Sequence, residues 1–339
     1  MDNTLDTFNL RKVILDSVKQ TQFNYTIENQ SSLSEKPFSR IVICGMGGSA
    51  LPAELLSATF SQFGVNITQY PIYIHRSYEE SPYIDENTLV LAISYSGNTE
   101  ETVSAYEDTL SKGRTVIALA ADGILINKAK EQGNPYVVIP NPDPYFQPRY
   151  ATLYILKAIL QVLIAYHIID ESYQDILTTL LQGVNPQEFE EQGQQLAQSL
   201  KGKTPVIYAT ELYKVVAHLW KIKINENAKT PCFWNYVPEL NHNEMVGFTN
   251  PQADFQFIFI HNASETSRNI MRFEKLNTLF TSRGLSVIDI IVPDYGNHLA
   301  NIIAMILIGD WTAYYLALAY GIDPTPVDMV EEFKVLMKN

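Results

Sequence analysis

Short, branched apolar runs recur at 40–44, 71–75, 89–93, 115–119 and 136–139, each with the length of a buried strand. Between them, apolar residues return at three- and four-residue spacing over 53–63, 99–112 and 124–132, which predicts helices. Strands alternating with helices predict an α/β fold whose parallel sheet carries helices on both faces. A Pro-rich stretch, 140–148, punctuates the pattern before a long apolar helix over 150–169. The alternation then restarts, with strands at 205–209, 255–261 and 286–292 and helices over 213–228, 267–282 and 299–320. An amphipathic helix within 6–25, carrying Phe8, Val13, Ile14 and Val18, and a polar loop at 28–36 precede the first strand. The segment 231–248 reads as aromatic and irregular. The pattern divides into two loosely similar halves, 1–170 and 171–339, with 183–186 as a candidate inter-domain loop.

A chain of 339 residues accommodates two domains of ordinary size, and 46% hydrophobic against 18% charged residues describes packed globular material. Two cysteines, Cys44 and Cys232, supply neither a disulfide framework nor a Cys-based zinc site. The net charge of −13 argues against a broad nucleic-acid surface, yet leaves room for a local cationic pocket that takes an anionic small molecule. The two longest apolar runs are interrupted, 153–169 by Lys157, Gln161 and His167, and 299–320 by Asp310. Both are expected to be core helices rather than membrane spans. The first nine residues are polar and acidic, unlike a signal peptide, so a cytoplasmic protein is expected.

Candidate chemistry begins where the run 89–93 stops at Ser94-Tyr95-Ser96-Gly97-Asn98-Thr99. Glu100 and Glu101 then occupy the first turn of the next helix, where acids suit the dipole. Free N–H groups at that helix start, with the hydroxyls of Ser94, Ser96 and Thr99, form a cradle for a phosphate. An ordinary capped strand-to-helix turn has the same composition, so local chemistry leaves both readings open. Gly45-Met46-Gly47-Gly48-Ser49 falls at another strand end, the edge of such sheets where ligands bind. It lacks the last glycine of G-x-G-x-x-G, and no suitable acid closes the next strand, so a sugar-phosphate contact by Gly47, Gly48 and Ser49 is favoured over dinucleotide binding.

The second half adds titratable groups. Glu226, in Asn225-Glu226-Asn227-Ala228-Lys229, is an acid at the end of a helix, against the dipole preference. Alone it reads better as a solvated partner of Lys223 or Lys229. His242 stands among hydrogen-bonding side chains in Pro238-Glu239-Leu240-Asn241-His242-Asn243-Glu244. H-x-H and H-E-x-x-H are absent, so proton transfer fits it better than metal ligation, with a hydrogen-bonded loop histidine as the plain alternative. The other five histidines stand alone and are read as structural. Arg149 opens a helix just beyond a strand end and suits a developing oxyanion. Lys334 follows Asp323-Pro324-Thr325-Pro326-Val327 in a short C-terminal helix, and nothing local lifts it above a solvated lysine.

Taken together, these segments resemble the bifunctional phosphoglucose/phosphomannose isomerases of archaea and bacteria, over about 40–334. Ser94 to Thr102 is similar to the phosphate loop of the sugar isomerase (SIS) fold, and Gly45 to Ser49 to the family's first-strand turn. Gln147-Pro148-Arg149, N-E-N-A-K, P-E-L-N-H-N-E and D-P-T-P to Lys334 follow in the family's order. The resemblance implies two SIS domains, an N-terminal one with the phosphate loop and a C-terminal one whose last helix returns to the active site. It implies a homodimer and metal-free, cofactor-free isomerisation of glucose 6-phosphate or mannose 6-phosphate to fructose 6-phosphate through a cis-enediol(ate). Carried over position by position, Glu226 is the base, His242 the ring-opening group that reaches the neighbouring subunit's site, and Arg149 the cation near the enediolate. Lys334 is the C-terminal lysine of the pocket, Ser94, Ser96 and Thr99 bind phosphate, and Gly47, Gly48 and Ser49 line the sugar. Small side chains at Thr325 or Val327 would give room for both configurations at C2. The rivals are a SIS sugar-phosphate sensor, for which no basic DNA-binding module is found, and a glucosamine-6-phosphate synthase-like transferase, which needs an N-terminal nucleophilic cysteine where this chain has Asp2.

Overall fold

The computed structural model describes residues 3–32 and 37–337. The expected polar loop at 28–36 therefore lies in part, at 33–36, outside the described residues. The chain forms two compact units, one of residues 16–182 and one of residues 1–15 with 183–339.

The N-terminal segment does not form one helix. Helix α1 (Leu10–Leu15) ends where the chain leaves one unit for the other, and a 3-10 turn, Ser17–Gln22, follows. Each half is held in its own unit, so a continuous helix has no single face to bury. Strand β1 (Ile27–Glu28) is short. Strand β2 (Arg40–Cys44) leads into α2 (Gly47–Thr59), then β3 (Ile72–His75) and β4 (Thr88–Ile93). Helix α3 (Glu100–Ser111), β5 (Val116–Ala120), α4 (Ile124–Glu131) and β6 (Tyr136–Val138) complete the alternation. Helix α5 (Thr152–Ala165) and the short α6 (Ile176–Leu180) close this unit.

The sheet order is β1-β6-β5-β4-β2-β3. Five strands are parallel, as expected, and β1 adds an antiparallel edge on β6. Every residue of β4 is buried, which its unbroken apolar run requires of a central strand. From β2 the chain steps to β3 on one side, and from β4 to β5 on the other. The neighbours β2 and β4, paired Cys44 to Ala92, thus flank the point where the winding reverses. Ligand crevices of doubly wound sheets open there, beyond the carboxyl ends.

In the second unit, α7 (Glu190–Leu200) and β7 (Thr204–Thr210) are followed by α8 (Lys214–Ala228) and β8 (Phe233–Val237). Then come β9 (Phe255–His261), α9 (Ser267–Thr281), β10 (Ser286–Ile291), α10 (His298–Ala319) and α11 (Asp328–Met337). All four strands are parallel, in the order β10-β9-β7-β8. The expectation of an irregular 231–248 is corrected at its start: β8 pairs with β7, and prolines on either side masked a five-residue edge strand. Helix α7 was not expected either, because Gln and Glu dominate it and only Gly193, Leu196, Ala197 and Leu200 are buried.

Helix α10 is long and apolar enough to cross a membrane, yet 89% of its most apolar window is buried within the protein, so it is a core helix as expected. Its Asp310 forms an ion pair with Lys223 of α8 at 2.8 Å, both side chains under 5% exposed. Trp220 of α8 donates its indole N–H to the Met305 carbonyl at 2.7 Å. On α10, Tyr314 donates to Asp6 at 3.2 Å, and Tyr315 donates to Glu190, which also receives Arg11 at 2.7 and 2.8 Å. These contacts fasten the N-terminal helix to the C-terminal half of the chain.

Candidate active site

The turns that leave β2 and β4 are joined to each other. Tyr95 donates its backbone N–H to Ser49 Oγ at 3.0 Å, and Ser49 is buried at the start of α2. Helix α2 begins at Gly47, six residues earlier than its apolar pattern predicts. Glycines are poor helix formers, but here a contact requires one: a Cβ on Gly48 would lie 2.8 Å from the Arg149 backbone nitrogen. That approach sets the 3-10 turn Pro148–Tyr150 against the first turn of α2. Arg149 itself is 2% exposed, donates to Gln147 Oε1 at 3.2 Å, and lies over the Tyr150 ring at 5.6 Å. Gly47 is exposed. Thus Gly47, Gly48, Ser49, Arg149 and the turn after β4 converge at one end of the sheet.

Within that turn the hydroxyls divide. Ser94 is fully buried; its Oγ shares a hydrogen bond with Thr99 Oγ1 at 2.9 Å and accepts the Thr99 N–H at 3.3 Å. Ser96 is exposed and Thr99 half-buried. Thr99 is the N-cap of α3 but makes no side-chain cap bond, so the first N–H groups of α3 receive no cap from that side chain. The turn is clamped from behind: Leu125 donates to the Gly97 carbonyl at 2.9 Å, and Ile124 to Asn98 Oδ1 at 3.1 Å. Gly97 has φ +70°, and a Cβ there would stand 1.6 Å from the Asp122 carbonyl oxygen. An open groove of about 840 Å³ lies along α3, but Glu79, Glu100, Glu107 and Asp108 line it, and these carboxylates would repel a phosphate.

The other unit carries Glu226, His242 and Lys334. Glu226 is half-buried in the last turn of α8. Its neighbours are fixed: Asn225 Oδ1 accepts the Cys232 N–H at 2.9 Å, and Asn227 is fully buried. Lys229 donates to the Asn227 carbonyl at 3.1 Å and to the Asp323 carbonyl at 2.8 Å. The end of α8 is therefore tied to the D-P-T-P segment, where Thr325 is buried. Lys334, on the wholly exposed α11, pairs with Glu331 at 2.6 Å.

His242 is exposed, at the end of the 3-10 turn Glu239–His242. Glu226 precedes β8 and His242 follows it, and five residues at about 3.3 Å separate the strand's ends by roughly 13 Å. The crossovers β7–α8–β8 and β9–α9–β10 run in opposite directions across the sheet, which puts α8 and α9 on opposite faces. The loop after β8 is bound to the α9 side, where Arg272 donates to Asn241 Oδ1 at 3.1 Å. This unit therefore does not bring Glu226 and His242 together.

The remaining histidines are held structurally. His261 bonds Asp289 at 2.8 Å, His75 meets the Glu79 carbonyl at 3.0 Å, His218 stacks on Trp234, His298 packs edge-on against Tyr213, and His167 takes φ +57° just beyond α5. Among the described residues, no group of three His, Cys, Asp or Glu side chains is gathered for a metal ion. Both cysteines are buried, and burial pushes the Cys44 thiol up to about 12.

Known proteins match both halves of the chain. Residues 33–144 match the SIS domain, and 189–337 match the bacterial phospho-glucose isomerase C-terminal SIS domain. A bifunctional phosphoglucose/phosphomannose isomerase of Caldicellulosiruptor bescii is 34% identical over 93% of this chain and 95% of its own. The chain belongs to the bifunctional phosphoglucose/phosphomannose isomerase family. Its relative of that name in Aquifex aeolicus is 31% identical over 89% of this chain and 91% of its own. A hypothetical protein of Thermus thermophilus, 16% identical, has the same fold, with a TM-score of 0.68 over 96% of this chain and 90% of that one. Both units are thus SIS domains.

Proposed function

We propose that this family member is an aldose–ketose isomerase that interconverts glucose 6-phosphate and mannose 6-phosphate with fructose 6-phosphate. The observation that carries the reading is the 34% identity to an isomerase of that name across nearly the whole length of both chains. The hydroxyls of exposed Ser96 and half-buried Thr99 and the first N–H groups of α3 take the 6-phosphate, and Ser94 acts through Thr99 by holding its hydroxyl in place. Gly47, Gly48 and Ser49 line the sugar.

Glu226 removes the C2 proton of the aldose and returns it to C1, while the hydroxyl proton moves in the same sense, from O2 to O1. One carboxylate suffices for both directions because C1 and C2 lie side by side on one face of the planar cis-enediol(ate). Arg149 stabilises the negative oxygen of that intermediate, and Lys334 adds a second cation. No metal or redox cofactor enters this sequence. His242 opens the sugar ring. Its exposure, and its separation from Glu226 by the length of β8, support its delivery to the site of a second copy, and so a homodimer. The substrates are soluble metabolites, and we place the enzyme in the cytoplasm.

A coupled assay for fructose 6-phosphate from each aldose, with and without chelator, tests the activity. Product from both aldoses, insensitive to chelator, is expected; no product from either would leave a sugar-phosphate sensor as the better reading. Glu226→Gln is expected to bind sugar phosphate and to lose turnover about a hundredfold or more. Near-normal turnover in that variant removes Glu226 from the mechanism.

A further inference from the structure

The loop that carries His242 is exposed at its tip yet anchored at its flanks. Leu240 is fully buried and packs in the core cluster of Tyr208, Val237 and Phe257. Two residues beyond His242, Glu244 turns back onto the sheet. Its Oε1 accepts the Tyr208 hydroxyl at 2.6 Å, and its Oε2 accepts the Asn235 side-chain amide. Tyr208 and Asn235 are register partners on β7 and β8, so the carboxylate bridges two strands at one rung of the ladder. Tyr208 is fully buried; burial, and then the Glu244 carboxylate, raise its hydroxyl well above the ordinary tyrosine value and keep it a donor. Asn235 Oδ1 meanwhile accepts the Tyr236 N–H at 2.8 Å, which fixes the amide with its NH₂ toward Glu244.

We propose that Glu244 is a positioning residue: through Tyr208 and Asn235 it locks the His242 loop to β7 and β8 and fixes the direction in which the imidazole is presented. A loop tip outside the sheet has few contacts of its own, so the orientation of a catalytic imidazole must come from its neighbours. Glu244 faces two donors and can accept from both only as a carboxylate. A glutamine of the same size either sets its NH₂ against that of Asn235 or, turned over, donates to the Tyr208 oxygen and takes away the acceptor of the buried hydroxyl proton. Asn235 cannot flip to relieve it without giving up the Tyr236 N–H. Replacing Asn235 by aspartate as well restores the complement: the glutamine NH₂ donates to one Asp oxygen, and the other still accepts from Tyr236.

The inference rests on the ring-opening role of His242, and the test separates the two. Glu244→Gln, Glu244→Gln with Asn235→Asp, and His242→Ala are compared on glucose 6-phosphate and on erythrose 4-phosphate, which cannot cyclise because its 4-oxygen is esterified. Glu244→Gln is expected to lower kcat on the cyclic sugar about tenfold with KM changed less than about threefold, to leave the open-chain aldose nearly unaffected, and to recover in the double variant. In parallel, the imidazole NMR signals of the six histidines are followed, His242→Ala identifying its own. The His242 signal is expected to move in Glu244→Gln, and to return in the double variant, while the other five hold. An unmoved His242 signal overturns the clamp, as does equal loss on both sugars without recovery. If His242→Ala shows no preference for the cyclic sugar, the ring-opening role fails, and the NMR result alone decides the clamp.

Discussion

Gly97→Ala is the sharpest perturbation of the proposed phosphate turn. A methyl group there begins 1.6 Å from the Asp122 carbonyl oxygen, so the two segments must part by about 1.8 Å to reach the 3.4 Å of ordinary contact. That movement breaks the hydrogen bonds from Leu125 to the Gly97 carbonyl and from Ile124 to Asn98, each worth about 1 kcal/mol. Alanine at φ +70° adds roughly 1–2 kcal/mol, for a total near 3–4 kcal/mol. Gly113→Ala is the control: its φ is +69°, with nothing within 4 Å of the added methyl, so only the backbone cost of about 1–2 kcal/mol applies. At roughly 2–4 °C per kcal/mol for a unit of this size, thermal unfolding is expected to fall by about 10 °C for Gly97→Ala and about 4 °C for Gly113→Ala. Because the turn that parts is the proposed phosphate cradle, calorimetric titration with fructose 6-phosphate is expected to show a loss of about tenfold or more, about 1.4 kcal/mol, for Gly97→Ala and none for Gly113→Ala. Equal melting shifts, with unaltered binding in both variants, would refute the reasoning that residues 121–125 hold the turn.

Two further predictions concern buried groups. Asp310→Ala leaves the Lys223 ammonium in the α8–α10 core without its carboxylate, and is expected to cost about 3–5 kcal/mol in urea unfolding; Lys223→Met with Asp310→Leu is expected to lie close to the wild type. Burial holds His298 below the ordinary imidazole value, outweighing the nearby Glu265 charge. The unfolded chain then binds the proton first on acidification. This group's contribution is full above about pH 6.5 and is lost as pH falls toward the lowered folded value. Unfolding free energies measured between pH 5 and 7 are expected to show a shallower slope in His298→Asn; an identical slope removes His298 as its source.

Much of this was legible from apolar periodicity. The strands β2, β4 and β9 and the helices α3, α4 and α10 stand where branched runs and helical spacing predict them, because each has a face or a whole surface to bury. Elements that bury little were not legible. Helix α7 is mostly Gln and Glu, and β8 is an edge strand cut off by prolines. The start of α2 was hidden because the reason for Gly48 lies a hundred residues away, at the backbone of Arg149. In the site, hydroxyl content marked the turn after β4, but composition has no signal for which hydroxyl is buried beneath it: Ser94 and Ser96 are equivalent in sequence and opposite in exposure. Glu244 stands in the same segment as His242, but its partners are on two strands and emerge only from the register of Tyr208 with Asn235.

The attachment of α1 to α10 affects synthesis. One unit, residues 16–182, is continuous, and all its strands and helices are available once the ribosome has passed residue 182. The other is a split unit, in which Asp6 and Arg11 find Tyr314 and Glu190. Residues 6–11 must therefore wait for α10 before that layer closes. A truncation of residues 1–15 would be felt at α10 and α7, close to 200 positions or more along the chain, and would leave the core of the continuous unit as it was. A folding intermediate with 16–182 formed before α1 docks on α10 is the species this arrangement favours during translation.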